Sequence, residues 1–276
     1  TLATEAGGVS SIVFADIDGD GDDDMAVDGS YIDESDNTMT NWFENTEGDG
    51  SEWVAHAYLT DRDPNRLLAM DFGNDGDVDL VTIIDQKPYW FVNDGSPADG
   101  NPYTDDPDAA HEVWSFGHRN IQGLARDPDT GAIYANEHGA NGGDELTRIE
   151  PAVNYGWPIA TYSREYWGPR ISDRVEAAGM RDPLVVWTPC IAPSGLLFYT
   201  GDDFPEWRGD LLSSGLVSEQ VRRTKVQSGE PAGETKITIG KRVRHVLQGP
   251  DGGLYLLTDE QAGQLLKLVP APASDE

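Results

Sequence analysis

Short apolar segments separated by turn residues are the feature that most constrains how this chain can fold. Examples are SIVFADI, DLVTIID, GAIYANE, GLLFYTG and GGLYLLTD, and glycine, aspartate, asparagine or proline bounds each of them. The segments alternate in polarity or are rich in β-branched and aromatic residues, which is typical of strands, and few stretches keep a helical period. The sequence therefore predicts an all-β fold.

Internal repetition indicates which all-β fold to expect. The unit DIDGDGDDDMAVDG…NWFENTEGDG recurs about 55 residues later in weaker form as DFGNDGDVDLVTIID…YWFVNDG, and GLARDPDTGAIYANE and HVLQGPDGGLYLLTD share a strand, Pro-Asp turn, strand pattern. Repeats of this size match four-stranded blades. We predict a β-propeller of five or six four-stranded blades. The expected repeat units are 8–60, 62–115, 116–165, 184–228 and 236–270, with an excursion at 171–183 that could hold a short helix.

Acidic residues are concentrated in the first part of the chain. The net charge is −31, and residues 1–115 hold 28 acids against 3 bases. A field of this sign repels phosphate, which argues against a nucleic-acid partner. The excess suits cation binding, and a high-salt habitat remains an alternative for the acids outside the clusters.

One stretch places carboxylates at alternating positions around two glycines. Calcium prefers six to eight oxygen ligands, and alternating aspartates in a tight loop can supply several. The flanking segments are predicted strands, and the pattern resembles the FG-GAP (VCBS-type) repeat, whose calcium loop lies in a propeller blade. The resemblance implies side-chain ligands from Asp16, Asp18, Asp20 and Asp24 and a main-chain carbonyl from Asp22. The alternative is a solvated acidic turn.

A second copy of this loop runs from Asp71 to Asp79, with Gly73 where the first copy has Asp18. It is either a second calcium loop or a vestigial turn held by side-chain hydrogen bonds to the backbone.

From about residue 93 the sequence changes character. Four motifs follow in order: GHRNIQGLARDPDTGAIYANEHGANGGDE, NYGWPIATYSREYWG, IAPSGLLFYTGDDFPEWRGDLL and KRVRHVLQGPDGGLYLLTDEQAGQLLKL. Over 93–270 the chain resembles the soluble aldose sugar dehydrogenases of the glucose/sorbosone dehydrogenase family, which use pyrroloquinoline quinone (PQQ). The resemblance implies a six-bladed propeller with the cofactor over its axis. We expect 1–92 to form FG-GAP-like calcium-binding blades and 93–276 to form sugar-dehydrogenase-like blades that close one propeller with the first part.

PQQ is flat and carries three carboxylates, which suits the planar fork of arginine. The resemblance implies that Arg119 and Asn120 hold the quinone edge, with Arg119 stabilising negative charge during hydride transfer. It implies that Arg242 and Arg244, which point to one face of a strand, bind the carboxylates. Tyr166 matches an aromatic residue that faces the cofactor. In isolation, these arginines could equally be solvated or paired with nearby acids.

Two calcium sites are also implied by the resemblance. One would lie on the quinone oxygens and take the main-chain carbonyls of Gly139 and Ala140, where the family usually has proline at the second position. The other would be structural, with Glu145 and the backbone of Tyr155 as ligands. An ordinary turn-capping role for Glu145 is the alternative.

The chain departs from the family pattern at further positions. The family's catalytic histidine is not identifiable, because the only histidines before or at the edge of the matching part are His56 and His111. A lysine that binds the cofactor in some relatives falls at about Val217. Three interpretations stay open: a PQQ- and calcium-dependent sugar dehydrogenase, a non-catalytic calcium-stabilised propeller that binds carbohydrate or protein, and a truncated or recombined propeller without a function of its own.

Location and partners follow mainly from the resemblance. Cys190 is the single cysteine, so no disulfide forms within the chain, which neither proves nor excludes export. No apolar run is long enough to span a membrane, and no signal peptide is present in this chain. The resemblance implies a periplasmic or secreted protein that acts on a sugar or another small molecule. The oligomeric state stays open.

Overall fold

The computed structural model describes residues 12–32, 39–56, 65–70, 78–84, 86–91, 100–111, 113–249 and 251–270. These ranges contain eighteen β-strands and a single 3-10 turn at Pro205–Trp207, so the all-β prediction is confirmed. No helix in the described ranges has the length and apolarity needed to cross a membrane. The chain divides into two compact units: unit 1 comprises residues 1–116 and 150–153, and unit 2 comprises 117–149 and 154–276.

Unit 1 holds two antiparallel sheets. The first has four strands in chain order: β1 (Ile12–Ala15), β2 (Asp24–Ile32), β3 (Met39–Glu44) and β4 (Val54–His56). The second has three: β5 (Asn65–Met70), β6 (Asp79–Ile84) and β7 (Lys87–Phe91). A shared apolar cluster joins residues of both sheets: Ile17, Ala26, Leu67 and Leu80.

Unit 2 holds three antiparallel sheets. The first has the order β11-β10-β9-β8, with β8 (Ile121–Arg126), β9 (Ile133–Glu137), β10 (Asp144–Ile149) and β11 (Val185–Trp187). The second is β12 (Pro193–Phe198), β13 (Leu211–Gly215), β14 (Gln220–Gln227) and β15 (Glu230–Thr238). The third is β16 (Val243–Gln248), β17 (Leu254–Thr258) and β18 (Leu265–Leu268).

Apolar clusters join the three sheets of unit 2. One includes Tyr134, Leu146, Leu196 and Phe198, from the first and second sheets. Another includes Leu212, Val221, Val246 and Leu256, from the second and third sheets. Strand β12 lies beside both β8 and β16, so the first strands of the three sheets are neighbours. Strands β9 and β13 are buried along their whole length, as expected when both faces of a sheet are covered.

The two Pro-Asp turns lie where the sequence predicted them. Residues 127–132 connect β8 to β9, and Asp127 accepts hydrogen bonds from Asp129 N and Thr130 Oγ1. Gly131 adopts φ 74°, a left-handed conformation that favours glycine. The turn after Gln248 likewise connects β16 to β17. Both predicted hairpins are confirmed.

Two of the predicted repeat boundaries are wrong. The unit expected at 116–165 gains its fourth strand only at Val185–Trp187, because 150–184 forms a long connection of turns and bends. The next unit, expected at 184–228, instead begins at Pro193 and extends to Thr238. Residues 171–183 contain no helix.

Candidate functional site

Glu137 fixes the backbone of the segment that carries His118, Arg119 and Asn120. Its side chain is buried at the end of β9, and its Oε2 accepts hydrogen bonds from Arg119 N (2.7 Å) and Asn120 N (3.2 Å). Its Oε1 lies 3.4 Å from Nδ1 of His118. Burial opposes ionisation of Glu137, but the His118 ring and the two backbone N–H groups outweigh it and lower its pKa. The segment is therefore held by a buried, ionised carboxylate.

The Arg119 side chain lies between backbone carbonyls and aromatic rings. Its Nη1 donates to the carbonyl oxygens of His138 (2.8 Å) and Gly139 (3.1 Å). Its Cζ lies 5.3 Å from the centroid of the Trp157 ring, within cation–π range, and Nη2 lies 3.5 Å from the Tyr166 hydroxyl. These contacts hold the positively charged guanidinium group of Arg119 just before the start of β8.

Residues 138–144 form a tight turn, the carbonyl turn, which connects β9 to β10. A Cβ atom on Gly139 would come 2.2 Å from the carbonyl oxygen of Gly142, so this turn requires glycine. Asp144 is 1% exposed; its Oδ1 accepts from Gly139 N (2.9 Å), and its Oδ2 accepts from Ile191 N (2.7 Å) and Ala192 N (2.8 Å). One carboxylate thus joins the turn to the connection before β12.

His138 provides a second link to β12. Because a carbonyl oxygen can only accept, the His138 ring donates through Nε2 to Pro193 O at 2.7 Å. Burial lowers the pKa of His138, and the charges of Arg119 and Arg244 lower it further against the opposing effects of Asp144 and Pro193. His138 therefore lies within electrostatic reach of arginines that are 125 positions apart in sequence.

Arg242 and Arg244, the arginine pair, flank Val243, the first residue of β16. Ser194 Oγ in β12 donates to the carbonyl of Val243 at 2.9 Å. His138 bonds to Pro193, the preceding residue, so a continuous series of contacts connects Arg119 to the arginine pair. His138 and β12 therefore link the carbonyl turn to the backbone between Arg242 and Arg244. Both members of the pair also bond to Asp259.

Glu145 lines a small pocket, partly open to solvent, which Tyr155 and Trp157 also line. Burial raises the pKa of Glu145 well above its ordinary value, and the charges of Glu137, Asp144 and Asp182 raise it further. The Tyr155 ring stacks on His118 at 4.5 Å between centroids. Two carboxylates, Glu137 and Glu145, line this pocket, and negative charge there favours a cation.

Asn120 and Tyr166 lie at the edge of this site. The Asn120 side chain accepts a hydrogen bond from Gln122 Nε2 at 2.8 Å, and Tyr166 is 72% exposed. Ala140 N donates to Ser163 Oγ at 3.2 Å, which holds the second residue of the predicted calcium turn.

The acidic loop of unit 1 brings three carboxylates together. One ligand atom from each of Asp16, Asp18 and Asp20 lies within 4.8 Å of the others. Burial raises the pKa of Asp18, and the charges of Asp24, Asp20 and Glu44 add to this effect, against a backbone hydrogen bond from Asp20. The Asp22 N–H donates to Asp20 Oδ1 at 3.0 Å.

Asp24 is not one of the three carboxylates whose ligand atoms lie within 4.8 Å of one another, although its charge acts on Asp18. It is buried, and its oxygens accept hydrogen bonds from Ile17 N (3.1 Å) and Asn45 N (2.9 Å). Its role as a ligand stays a prediction. Residues 71–77 of the second acidic loop lie outside the described residues.

A protein-family comparison matches residues 87–267 to glucose/sorbosone dehydrogenase. The chain belongs to the glucose/sorbosone dehydrogenase family. It is 50% identical over 178 residues to an uncharacterized protein of Synechocystis, slr1608. The aligned residues cover 64% of this chain and 43% of that protein. It is 39% identical over 195 residues to the aldose sugar dehydrogenase YliI of Escherichia coli, which covers 69% of this chain and 50% of the relative. The chain thus spans about half the length of the curated relatives it matches.

Among solved structures, the PQQ-bound aldose sugar dehydrogenase of Streptomyces coelicolor is similar in fold, with a TM-score of 0.68 and 25% identity. The match covers 98% of this chain and 81% of that one. The part of the chain that lies before the family match is therefore included in the structural similarity, although FG-GAP repeats there stay a prediction.

The residues of this glucose/sorbosone dehydrogenase family member are chemically suited to a flat anionic cofactor and to calcium. Three guanidinium groups provide planar donors for carboxylates. The Gly139 carbonyl accepts one bond from Arg119 and keeps a second lone pair that could serve as a calcium ligand. Glu145 is a carboxylate whose ionisation is disfavoured until a cation is bound, as its raised pKa indicates.

Sequence reasoning missed four residues that hold this site: Glu137, Asp144, Trp157 and Asp259. For Asp259 a partial signal existed, because counting the strand register outward from the predicted turn at 249–253 places it opposite Val243, between the two arginines, and a β-bulge between Val243 and His245 then shifts it by one residue. The Trp157 ring lies against Arg119, and the local sequence does not distinguish it from a tryptophan of a blade core. Nothing in the local sequence distinguishes Glu137 or Asp144 from other acids of this acidic chain.

Proposed function

We propose that this chain is a PQQ- and calcium-dependent sugar dehydrogenase that oxidises aldoses. The observation that carries the proposal is the series of contacts from Arg119 through His138 and β12 to the backbone of the arginine pair, with the charges of Arg119 and Arg244 both acting on His138. The PQQ-bound relative of similar fold supports it. A propeller of five or six blades is the architecture that we propose with this function, and the five described sheets support it.

Each residue has a proposed role in holding the cofactor. Arg119 and Asn120 bind the quinone edge, and the Arg119 guanidinium stabilises negative charge there. Arg242 and Arg244 bind carboxylates, and Tyr166 covers one side of the site.

Calcium ligands are proposed from the backbone and from one side chain. The carbonyl oxygens of Gly139 and Ala140 hold the ion at the cofactor, where it acts as a Lewis acid. Glu145 and the backbone of Tyr155 hold a second, structural ion.

When bound, PQQ supplies the two-electron acceptor for hydride from the sugar carbon. The sugar hydroxyl must also lose a proton, which requires a base within hydrogen-bond reach. His56 is engaged elsewhere, since its Nε2 lies 2.7 Å from Glu44 and its ring stacks on Trp42. Among the described residues we assign no base.

Titration of the calcium-saturated protein with PQQ, followed by dye reduction with aldoses, tests the proposal. We expect a shifted quinone absorbance in the wild type and its loss in Arg242→Ala/Arg244→Ala. The control is Lys225→Ala/Lys236→Ala, which removes the same charge from exposed positions on the outer strands of the second sheet. Equal binding by all three proteins would refute the proposal.

The second candidate function is a non-catalytic, calcium-stabilised protein that binds carbohydrate or another protein. The convergence of Asp16, Asp18 and Asp20 favours it, as does the missing family histidine. Calorimetry with calcium should show binding that weakens in Asp16→Asn/Asp18→Asn. Calcium binding without any PQQ binding would favour this candidate over the first.

We further propose a periplasmic or secreted location. Fractionation of cells that express the full-length protein measures it, and recovery only in the cytoplasmic fraction would contradict it.

A further inference from the structure

One carboxylate bridges the two arginines of the pair. Asp259 follows the end of β17, and its backbone N–H donates to Arg242 O at 2.9 Å. Its Oδ2 accepts from Nε (3.1 Å) and Nη2 (2.8 Å) of Arg242, and its Oδ1 accepts from Nε (3.1 Å) and Nη2 (2.8 Å) of Arg244. Both oxygens of Asp259 are therefore used to hold two guanidinium forks.

The bridge leaves a net positive charge. Two guanidinium groups and one carboxylate sum to a single positive charge. Burial opposes ionisation of Asp259, but the hydrogen bonds and charges of both arginines outweigh it and lower its pKa. The triad thus keeps its charge at neutral pH.

We propose that Asp259 is a positioning residue for the anion site: it holds Arg242 and Arg244 in the orientation that binds the cofactor carboxylates. This inference rests on the proposed function. Asp259 occupies the Nε–Nη2 edge of each guanidinium, so Nη1 and the second Nη2 hydrogen of each remain for the ligand. Two long side chains are thereby ordered before binding, which reduces the entropy lost when the ligand arrives.

Removing Asp259 has two opposing effects on an anion. Loss of its negative charge strengthens the long-range attraction, whereas loss of the bridge frees two like-charged side chains to separate. The side chains of Arg242, Arg244 and Asp259 are 44%, 37% and 28% exposed, so solvent and salt screen the charge effect. Loss of the arginine orientation should therefore affect affinity more than loss of the Asp259 charge. Weaker binding of the anion by the variant indicates the first effect, and tighter binding indicates the second.

Asp259→Asn tests the proposal, with Glu260→Gln as its matched control. Glu260 is the next residue and pairs with Lys241 at 3.0 Å, so the control removes the same charge and leaves the bridge intact. Each protein is titrated with PQQ at saturating calcium and at several salt concentrations, and binding is measured by quinone absorbance.

We expect Asp259→Asn to raise the Kd for PQQ about tenfold, which equals about 1.4 kcal/mol. Its salt dependence should become steeper than that of the wild type, because the free arginines carry one more net charge. Glu260→Gln should change the Kd less than about twofold, since its charge is exposed. Asp259→Glu keeps the charge but moves the carboxylate by one methylene, so its affinity should lie between those of the wild type and Asp259→Asn.

Equal or tighter binding by Asp259→Asn would overturn the inference. So would a lower melting temperature with unchanged PQQ affinity, which indicates a purely structural role. If Asp259→Asn fails to fold, wild-type affinity in Asp259→Glu overturns it instead. If the wild type does not bind PQQ, both the inference and the proposed function fail, whereas failure of the inference alone leaves wild-type binding intact.

Discussion

Replacing Asp144 by alanine should strongly destabilise unit 2. The carboxylate is 1% exposed and accepts three backbone hydrogen bonds, from Gly139, Ile191 and Ala192. Hydrogen bonds to a charged group contribute about 1.5–3 kcal/mol each, and the desolvation of the carboxylate, which raises its pKa, offsets part of the total. We therefore expect Asp144→Ala to lower the free energy of unfolding by about 4 kcal/mol.

Urea unfolding at pH 7 measures this loss. By thermal unfolding, about 4 kcal/mol corresponds to roughly 10 °C in a domain of this size. The control is Asp173→Ala, an exposed position in the same unit, which should change stability by no more than about 0.5 kcal/mol. If the two variants unfold alike, the reasoning about Asp144 is refuted.

Asp144→Asn separates the stability of the fold from the geometry of the site. An amide oxygen can still accept from Ile191 and Ala192, but the amide nitrogen then faces Gly139 N, donor against donor. We expect a smaller stability loss than with alanine, about 1.5–3 kcal/mol, together with weaker calcium binding at the carbonyl turn. Calorimetry measures the calcium affinity, and unchanged affinity would show that the orientation of Gly139 does not matter.

Two further predictions concern Glu145 and the edge of the site. Because burial and neighbouring acids raise the pKa of Glu145, the folded metal-free protein binds this proton more tightly than the unfolded chain, and stability falls as pH rises above about 4.5. In chelator-treated protein, Glu145→Gln should therefore be more stable than the wild type at pH 7, and the two proteins should be equally stable below about pH 4. With excess calcium the wild type should be the more stable of the two. Denaturant titrations across pH measure both differences. The Val217 side chain is 60% exposed. Its backbone N–H donates to the carbonyl of Ile191, the residue whose own N–H binds Asp144. Val217→Lys should tighten PQQ binding about two- to fivefold in the absorbance titration, and Val175→Lys should not; equal effects would indicate non-specific charge attraction.

The turns, their flanking strands and the family could be predicted from the sequence. The two Pro-Asp turns and their flanking strands were predicted correctly, because proline, aspartate and glycine favour a turn whatever surrounds them. Membership of the family was also correctly inferred, from several ordered motifs around Arg119, Arg242 and Arg244. The third repeat boundary was wrong, since a three-residue strand at 185–187 has too little local pattern to identify and is defined by pairing with β10.

By itself the sequence determined the all-β class, the hairpins and where the cationic groups of Arg119, Arg242 and Arg244 lie within the family motifs, because these depend on residue type and short spacing. Only the tertiary structure decided which acids hold those groups. Glu137, Asp144 and Asp259 are three among 50 acidic residues, and their roles arise from strands that pack together across long sequence separations. A carboxylate gains a specific function when burial and neighbouring donors fix its two oxygens. The residues next to it in sequence determine neither its burial nor its donors.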